Sequence, residues 1–290
     1  MECINSLLKI TYPNYKILVI DNGSDGDDAN IIREHFGSEI DIFAENKNHG
    51  FAEGCNIGIR YSLQRNADYI LLQNNDTIVD PDFLKHMVSL ADNDETIGIV
   101  GPKIYYYDRP NIIWDTGAII KWWCGDFYGC GNREVDNGQY DIPVHRDYIT
   151  GCSILIKAKV FNAIGLLDNS YFFGLEDVDF CTRARRAGYK IMYCPKAKVW
   201  HKGGRSRTRL ARFKDTLKTI YKAGGLFDIK YRVKFFKKYS RLYPLPIILY
   251  IIVSLPYRAL RLTYKTKNIK YTTEWIKVWY KNLRNYYKGI

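Results

Sequence analysis

The sequence predicts an α/β fold: a largely parallel sheet flanked by helices, with a basic helical appendage at the C-terminal end. Three observations predict it. Short apolar, β-rich runs alternate with amphipathic stretches of helical period through the first third of the chain. Each run ends in a polar loop, at 21–24, 46–51 and 73–76. The charge then changes sign along the chain. His201 to Ile290 carries 23 Lys and Arg against three acids (Asp215, Asp228, Glu274), although the net charge of all 290 residues is only +12. An acidic body at 1–206 and a basic region at 207–290 is the division this asymmetry predicts.

A chain that is 47% hydrophobic and 26% charged can bury a full core. The opening MECINSLLKITYP is too short and polar to read as a leader segment. The seven cysteines form no C-x-x-C pair, so neither a disulfide framework nor a zinc site is expected, and a reducing, cytoplasmic environment is favoured.

Lys16–Ile20 is the first apolar run, ending at Asp21-Asn22-Gly23-Ser24 and followed by an amphipathic stretch to Phe36. Ile40–Ala44 is the second, leading through Asn46 and Gly50 into a helix over 52–65 that carries Asn56. Tyr69–Leu72 is the third and delivers Gln73-Asn74-Asn75-Asp76. Asp80-Pro81 opens a helix with Phe83, Leu84, Met87, Val88 and Ala91 on one face. In open α/β sheets ligands bind beyond the carboxyl ends of the strands, where all three polar loops fall.

The middle is less regular. Ile97–Val100 and Ile112–Trp114 read as strands, 122–137 as a loop without period, and Tyr148–Lys157 as a buried strand entered past Gly151 and Cys152. A short helix over 158–164 follows, and Lys190–Cys194 is a last strand stopped by Pro195. Between them Glu176, Asp177 and Asp179 crowd into four positions. Acids favour the first turn of a helix through its dipole, which is one reading. The other is that carboxylates this close raise one another's pKa values and serve proton transfer or cation binding.

Taken in order, the motifs TYPNYKILVIDNGS, NHGFAEGCNIG, LLQNNDTIVDP, TGCSILIKAKVF, GLLDNSYFFGLEDVDFCTRARRAGY and VWHKGGRS resemble the inverting glycosyltransferases of family 2, which have the GT-A fold, and within them the rhamnosyltransferase-like branch. The resemblance covers about residues 1–206. It implies transfer of a sugar from a UDP- or dTDP-linked donor to a glycan or lipid-linked acceptor in cell-surface polysaccharide synthesis. On it, Asp21, Asn22 and Ser24 border the base and ribose of the donor, and Asn46, Gly50 and Asn56 lie beside the nucleotide. Asn74-Asn75-Asp76 stands for a D-x-D-like triplet in which Asp76 is the one acid. Asp76 would bind a divalent cation, Mn2+ or Mg2+, and His201 would serve the metal or the diphosphate. Asp177 would be the base, Glu176 its closest competitor, and Gly151 and Cys152 would flank the acceptor. Asp21 also reads as a turn residue, Gly50 as helix entry, and His201 as a merely hydrogen-bonded side chain.

Family members usually open with an apolar strand, and this chain starts inside the helix that follows it. The resemblance therefore implies a sheet lacking its first strand beside Lys16–Ile20, in a truncated product, unless the neighbouring strands pair directly.

In the basic region, Leu210, Phe213, Leu217, Ile220 and Tyr221 form one helical face, and Trp275, Trp279, Leu283 and Tyr286 another. Leu242–Leu255 is uncharged but too short for a bilayer-spanning helix, which needs about 20 apolar residues. The pattern is that of helices lying on an anionic membrane surface, peripheral on the inner face of the cell membrane. Helices packed on the catalytic body, and a catalytically impaired scaffold, are the alternatives. The basic charge would also suit nucleic acid, but an uncharged apolar run inside such a module argues against it, and no nucleic acid is expected.

Overall fold

The computed structural model describes residues 1–203 and 226–266, with single positions at 273, 276, 277, 280 and 284. The apolar faces expected around Leu210–Tyr221 and Trp275–Tyr286 lie outside the described residues. The chain divides into two compact units, Met1–Ile119 with Gly129–Arg205, and Ile120–Tyr128 with Ser206–Ile290.

The elements follow one another as α1 (Glu2–Leu7), β1 (Leu18–Asp21), α2 (Asp28–Phe36), β2 (Asp41–Ala44), α3 (Phe51–Leu63), β3 (Tyr69–Gln73), β4 (Thr77–Val79), α4 (Phe83–Asp92), β5 (Ile97–Tyr106) and β6 (Arg109–Asp115). After them come β7 (Ala118–Lys121), β8 (Asp126–Gly129), β9 (Val144–His145), β10 (Ser153–Lys157), α5 (Ala158–Ile164), α6 (Glu176–Arg186), β11 (Lys190–His201), α7 (Leu226–Tyr239) and α8 (Leu245–Thr266).

The first unit is an α/β body on a mixed seven-stranded sheet of order β3-β10-β5-β11-β4, with β6 and β9 added to β5 and β11. β3, β5 and β11 share one direction, and β10 runs between β3 and β5 in the opposite sense. Side chains alternate across this sheet as a strand's period of two requires. On β10, Ile154 and Ile156 enter the layer with Ile59, Val160, Phe161 and Phe180. Leu155 points the other way, to Phe83, Met87 and Val88 of α4. Helices therefore cover both faces, α4 on one and α3, α5 and α6 on the other.

β1 and β2 form a separate parallel pair over a small core of Ile4, Ile17, Phe36 and Ile40. Among the described residues β1 pairs with β2 alone and β3 with β10 alone, so the neighbours do not join the two sheets by pairing directly.

Pro195 does not end its strand. β11 runs on to His201 because the register with β5 shifts between Cys194 and Lys198, and such an irregularity accommodates a residue that cannot donate to the ladder. That continuation carries His201 to the sheet edge beside Thr77.

In the second unit, the tip of the β7–β8 hairpin, inside the stretch read as a loop, packs on the tail helices. Trp122 stacks on Phe235 (centroids 5.7 Å), and Phe127 and Tyr239 complete the cluster. Arg232, 4% exposed, donates to the Gly125 carbonyl and to Asp126, and lies 3.9 Å from the centroid of the Tyr250 ring. Pro256 lies inside α8. No described helix is long and apolar enough to cross a membrane.

Candidate active site

The polar loops after β1 and β2 are fastened to each other. The Asn22 side chain donates to the Gly50 carbonyl (2.9 Å) and accepts the His49 amide (3.1 Å). Asp21 accepts the Ser24 amide (3.0 Å) and so shapes its own turn. A Cβ on Gly23 would stand 2.4 Å from the Lys47 carbonyl carbon, so only glycine lets the loops meet there. Asn46 and Ser24 are exposed beside this junction.

Gly50, at φ +85°, begins α3 under Phe172, whose ring a Cβ would approach to 2.8 Å. The Phe51 amide donates to the Phe172 carbonyl (2.9 Å), which fixes the loop before α6 to the start of α3. Asn56 has a different task. Its amide group pairs with both backbone groups of Leu167 (2.9 and 3.0 Å), and it is buried at 3% exposure. It clamps the connection between α5 and α6 to α3.

The 74–76 turn is built from β3 and β10. The Asn74 amide donates to the Cys152 carbonyl (2.9 Å), and its own carbonyl accepts the Thr77 hydroxyl (2.7 Å). Gln73 bonds Thr77 and Ser153, which sets the turn rigidly on both strands. Asn75 projects outward, whereas the Asp76 carboxylate turns to His201 (Oδ1 to Nε2, 3.2 Å). Trp114 packs edge-on against the imidazole, and the buried His201 Nδ1 has no hydrogen-bond partner. Among the described residues no three acid, His or Cys groups converge as a metal cage. The donor set is one carboxylate and one imidazole, which suits a divalent cation when diphosphate oxygens supply the other ligands.

From this turn the chain of contacts leads to the acids. Next to Cys152, the Gly151 amide donates to Asp177 Oδ2 (2.8 Å), and the Val178 amide donates to Asp177 Oδ1 (2.8 Å). Gly174 (φ +98°) and Leu175 (φ +72°) are both left-handed, and this tight entry delivers Glu176 and Asp177 at the start of α6. Leu175 adopts a conformation costly for a branched residue, of the kind that clusters at functional sites.

The two acids differ. Glu176 is 5% exposed, and its Oε2 has no hydrogen-bond partner. Burial, then the adjacent Asp177 charge, pushes its carboxyl up to about 8. Burial also raises Asp177, but the amides of Gly151 and Val178 oppose the shift. Near neutral pH Glu176 therefore favours its protonated form, while the two amides favour the ionised form of Asp177. Asp179 is structural: it pairs with Arg183 (2.9 Å), which also donates to the carbonyls of Ile164 and Leu166.

Asp115, which the sequence reading passed over, belongs to the same cluster. It ends β6, accepts the Gly117 amide (2.9 Å), and its carboxyl is pushed up to about 7 by burial and by the Asp177 charge. Asp76 and Asp115 both act on the buried Cys152 thiol, whose pKa burial raises well above the ordinary range. Its signal was in the sequence: the apolar run IIW ends in Asp-Thr-Gly, much as KILVI ends in Asp-Asn-Gly.

The chain is similar to known proteins. The family model of glycosyl transferase family 2 matches residues 1–160. The chain is 27% identical over 172 residues to the dTDP-rhamnosyl transferase RfbF of Shigella flexneri, covering 56% of this chain and 52% of that protein. It superposes on GalNAc-T7 bound to UDP, GalNAc and Mn2+ with a TM-score of 0.56 at 16% identity, covering 80% of this chain and 47% of that one. It also superposes on the mannosyltransferase PcManGT of Pyrobaculum calidifontis, in complex with GDP-Man and Mn2+, with a TM-score of 0.52 at 14% identity, covering 97% and 82%. These structures establish a GT-A fold for the body. The chain spans 26%, 52% and 61% of the length of three curated relatives it matches.

Proposed function

The chain belongs to glycosyl transferase family 2, and on that premise we propose that it moves a hexosyl or rhamnosyl unit from a UDP- or dTDP-linked donor to a glycan or lipid-linked acceptor, with inversion, in cell-surface polysaccharide synthesis. The observation that carries this reading is the placement of Asp177. It is held by two backbone amides at the start of α6, beside a buried, protonated Glu176, and is tied through Gly151–Cys152 to the turn that bears Asp76.

Inversion is a single displacement. The acceptor hydroxyl attacks the anomeric carbon opposite the departing nucleoside diphosphate, and Asp177 takes its proton. A raised carboxylate is a stronger base than an exposed one, and the amides of Gly151 and Val178 favour its ionised form and aim it. The protonated Glu176 spares Asp177 the repulsion of a second charge. The loops at 21–24 and 46–50, bonded to each other, form the rim for the nucleoside.

Asp76 and His201 would hold the divalent cation, Mn2+ or Mg2+, which supplies charge neutralisation for the leaving diphosphate. The two structural neighbours were determined with Mn2+, which supports a divalent cation. The basic C-terminal region would keep the enzyme on an anionic membrane surface at the cytoplasmic face, where lipid-linked acceptors are met.

The test is a panel of sugar nucleotides scored by thermal stabilisation of the full chain, with and without manganese, followed by transfer assays on the donor that binds. Stabilisation by UDP- or dTDP-sugars that needs manganese supports the reading. A protein stabilised by none of them does not fit it.

A further inference from the structure

The outward side of α8 is apolar without interruption among its described positions. Leu245, Ile248 and Ile252 are 50%, 45% and 62% exposed, and beyond Pro256 the sequence continues with exposed Tyr257, Leu260 and Tyr264. The inward side is filled: Ile247 and Tyr250 are buried, and Tyr250 lies under the Arg232 guanidinium. Two further exposed residues lie by the first turn of this helix. Leu242 precedes it, and Trp123, 64% exposed, stands two residues from Gly125, whose Cα region meets the Pro246 carbonyl.

We infer that the first half of α8, together with Leu242 and the hairpin's Trp123, is a face that embeds in one leaflet of an anionic bilayer without crossing it. The inference rests on the membrane reading of the basic region given above and names the surface that makes the contact. Length alone would permit crossing, since 22 residues of helix rise about 33 Å against a hydrocarbon core of about 30 Å. Composition forbids it. The helix is free of charge only from Leu245 to Tyr257, with Pro256 breaking the apolar run after Leu255, and Arg258, Arg261 and Lys265 follow within the same helix. The eleven residues Leu245–Leu255, apolar except for Ser254, reach about half the core, the depth of one leaflet, and a tryptophan beside them suits the boundary with the headgroups.

Charge complementarity selects the partner. From His201 onward 23 Lys and Arg stand against three acids, so an anionic lipid surface attracts this region, whereas a second copy of the chain would bring like charge onto the same face.

The experiment is flotation of the full chain with vesicles of phosphatidylcholine alone and with about one third phosphatidylglycerol, at low and high salt. The full chain is expected on the anionic vesicles, with a fraction that stays bound at high salt. Ile248→Ser with Ile252→Ser, and separately Trp123→Ser, should each weaken that salt-resistant binding about tenfold or more at unchanged thermal stability. If the variants float as well as the parent chain, attachment is electrostatic alone and the inference fails while the membrane reading stands. If the full chain floats with neither vesicle, both fail. If light scattering instead shows a dimer that the same substitutions dissolve, with no flotation, the face belongs to a second copy and the inference is overturned.

Discussion

Lys103 and Glu176 lie in the same body at nearly the same depth, 1% and 5% exposed, in opposite surroundings. Lys103 is answered in full: its ammonium donates to Asp136 (2.8 Å) and Asp141 (2.6 Å), and the Tyr105 hydroxyl also donates to Asp136. Burial alone would raise the Asp136 carboxyl, but the hydrogen bonds of Lys103 and Tyr105 outweigh it and hold the group below its ordinary value. Glu176 has acids for neighbours, an oxygen with no partner, and a raised carboxyl. Buried charge that is matched fixes a fold. Buried acid left unmatched marks a place where a substrate completes the environment.

The two clusters should therefore fail differently. Asp177→Asn should lower transfer by about 10²–10⁴-fold while donor-induced stabilisation persists, because the base acts on the acceptor. Wild-type turnover in that variant would move the role to Glu176. Lys103→Met should do the reverse. It strands Asp136 partly buried without its cation and should cost about 3–5 kcal/mol in urea unfolding, with the rate per folded molecule unchanged. A selective loss of rate there would erase the distinction between the clusters.

Asp76→Ala sits between these extremes. Donor binding in manganese should weaken roughly ten- to hundredfold, and binding without metal should change little, as titration calorimetry would show. Equal weakening in both conditions would remove Asp76 from the cation.

The smallest effect concerns pH. A folded Glu176 carboxyl at about 8 against an ordinary 4.5 means that the native state holds a proton the unfolded chain releases. Stability from this group is therefore lost as pH rises from about 4.5 to about 8 and levels off above. Asp136, held below its ordinary value, contributes stability at neutral pH that disappears only in acid. Glu176→Gln should flatten the decline in melting temperature between about pH 4.5 and about pH 8 and leave the acid limb in place. An unchanged slope across that range would show that Glu176 is not the group responsible.

Much of this was legible in the sequence because it is local. The strand-end loops, the EDVD helix start and the apolar face of α4 follow from residues within a few positions of one another. The parts that were not legible depend on distant partners. Nothing near Lys103 announces Asp136 and Asp141, and nothing near Asn56 announces Leu167, 111 positions away. Asp115 was overlooked because β6 interrupts the alternation of strands and helices that made the other loops recognisable. Pro195 misled because its usual effect on a strand was absorbed by a register shift.

The division between the two sheets carries a consequence for isotope exchange. A two-stranded sheet is marginal by itself, so the β1–β2 pair should open without the rest of the body, and its amides should exchange before those shared by β5 and β11. The 21–24 and 46–50 loops hang from that pair and are cross-linked through Asn22. A nucleoside seated across them would tie the pair shut, slowing exchange at Leu18–Asp21 and Asp41–Ala44 while the seven-stranded sheet reports almost nothing. Exchange at eight backbone positions would thus register donor occupancy even in a variant that cannot turn over.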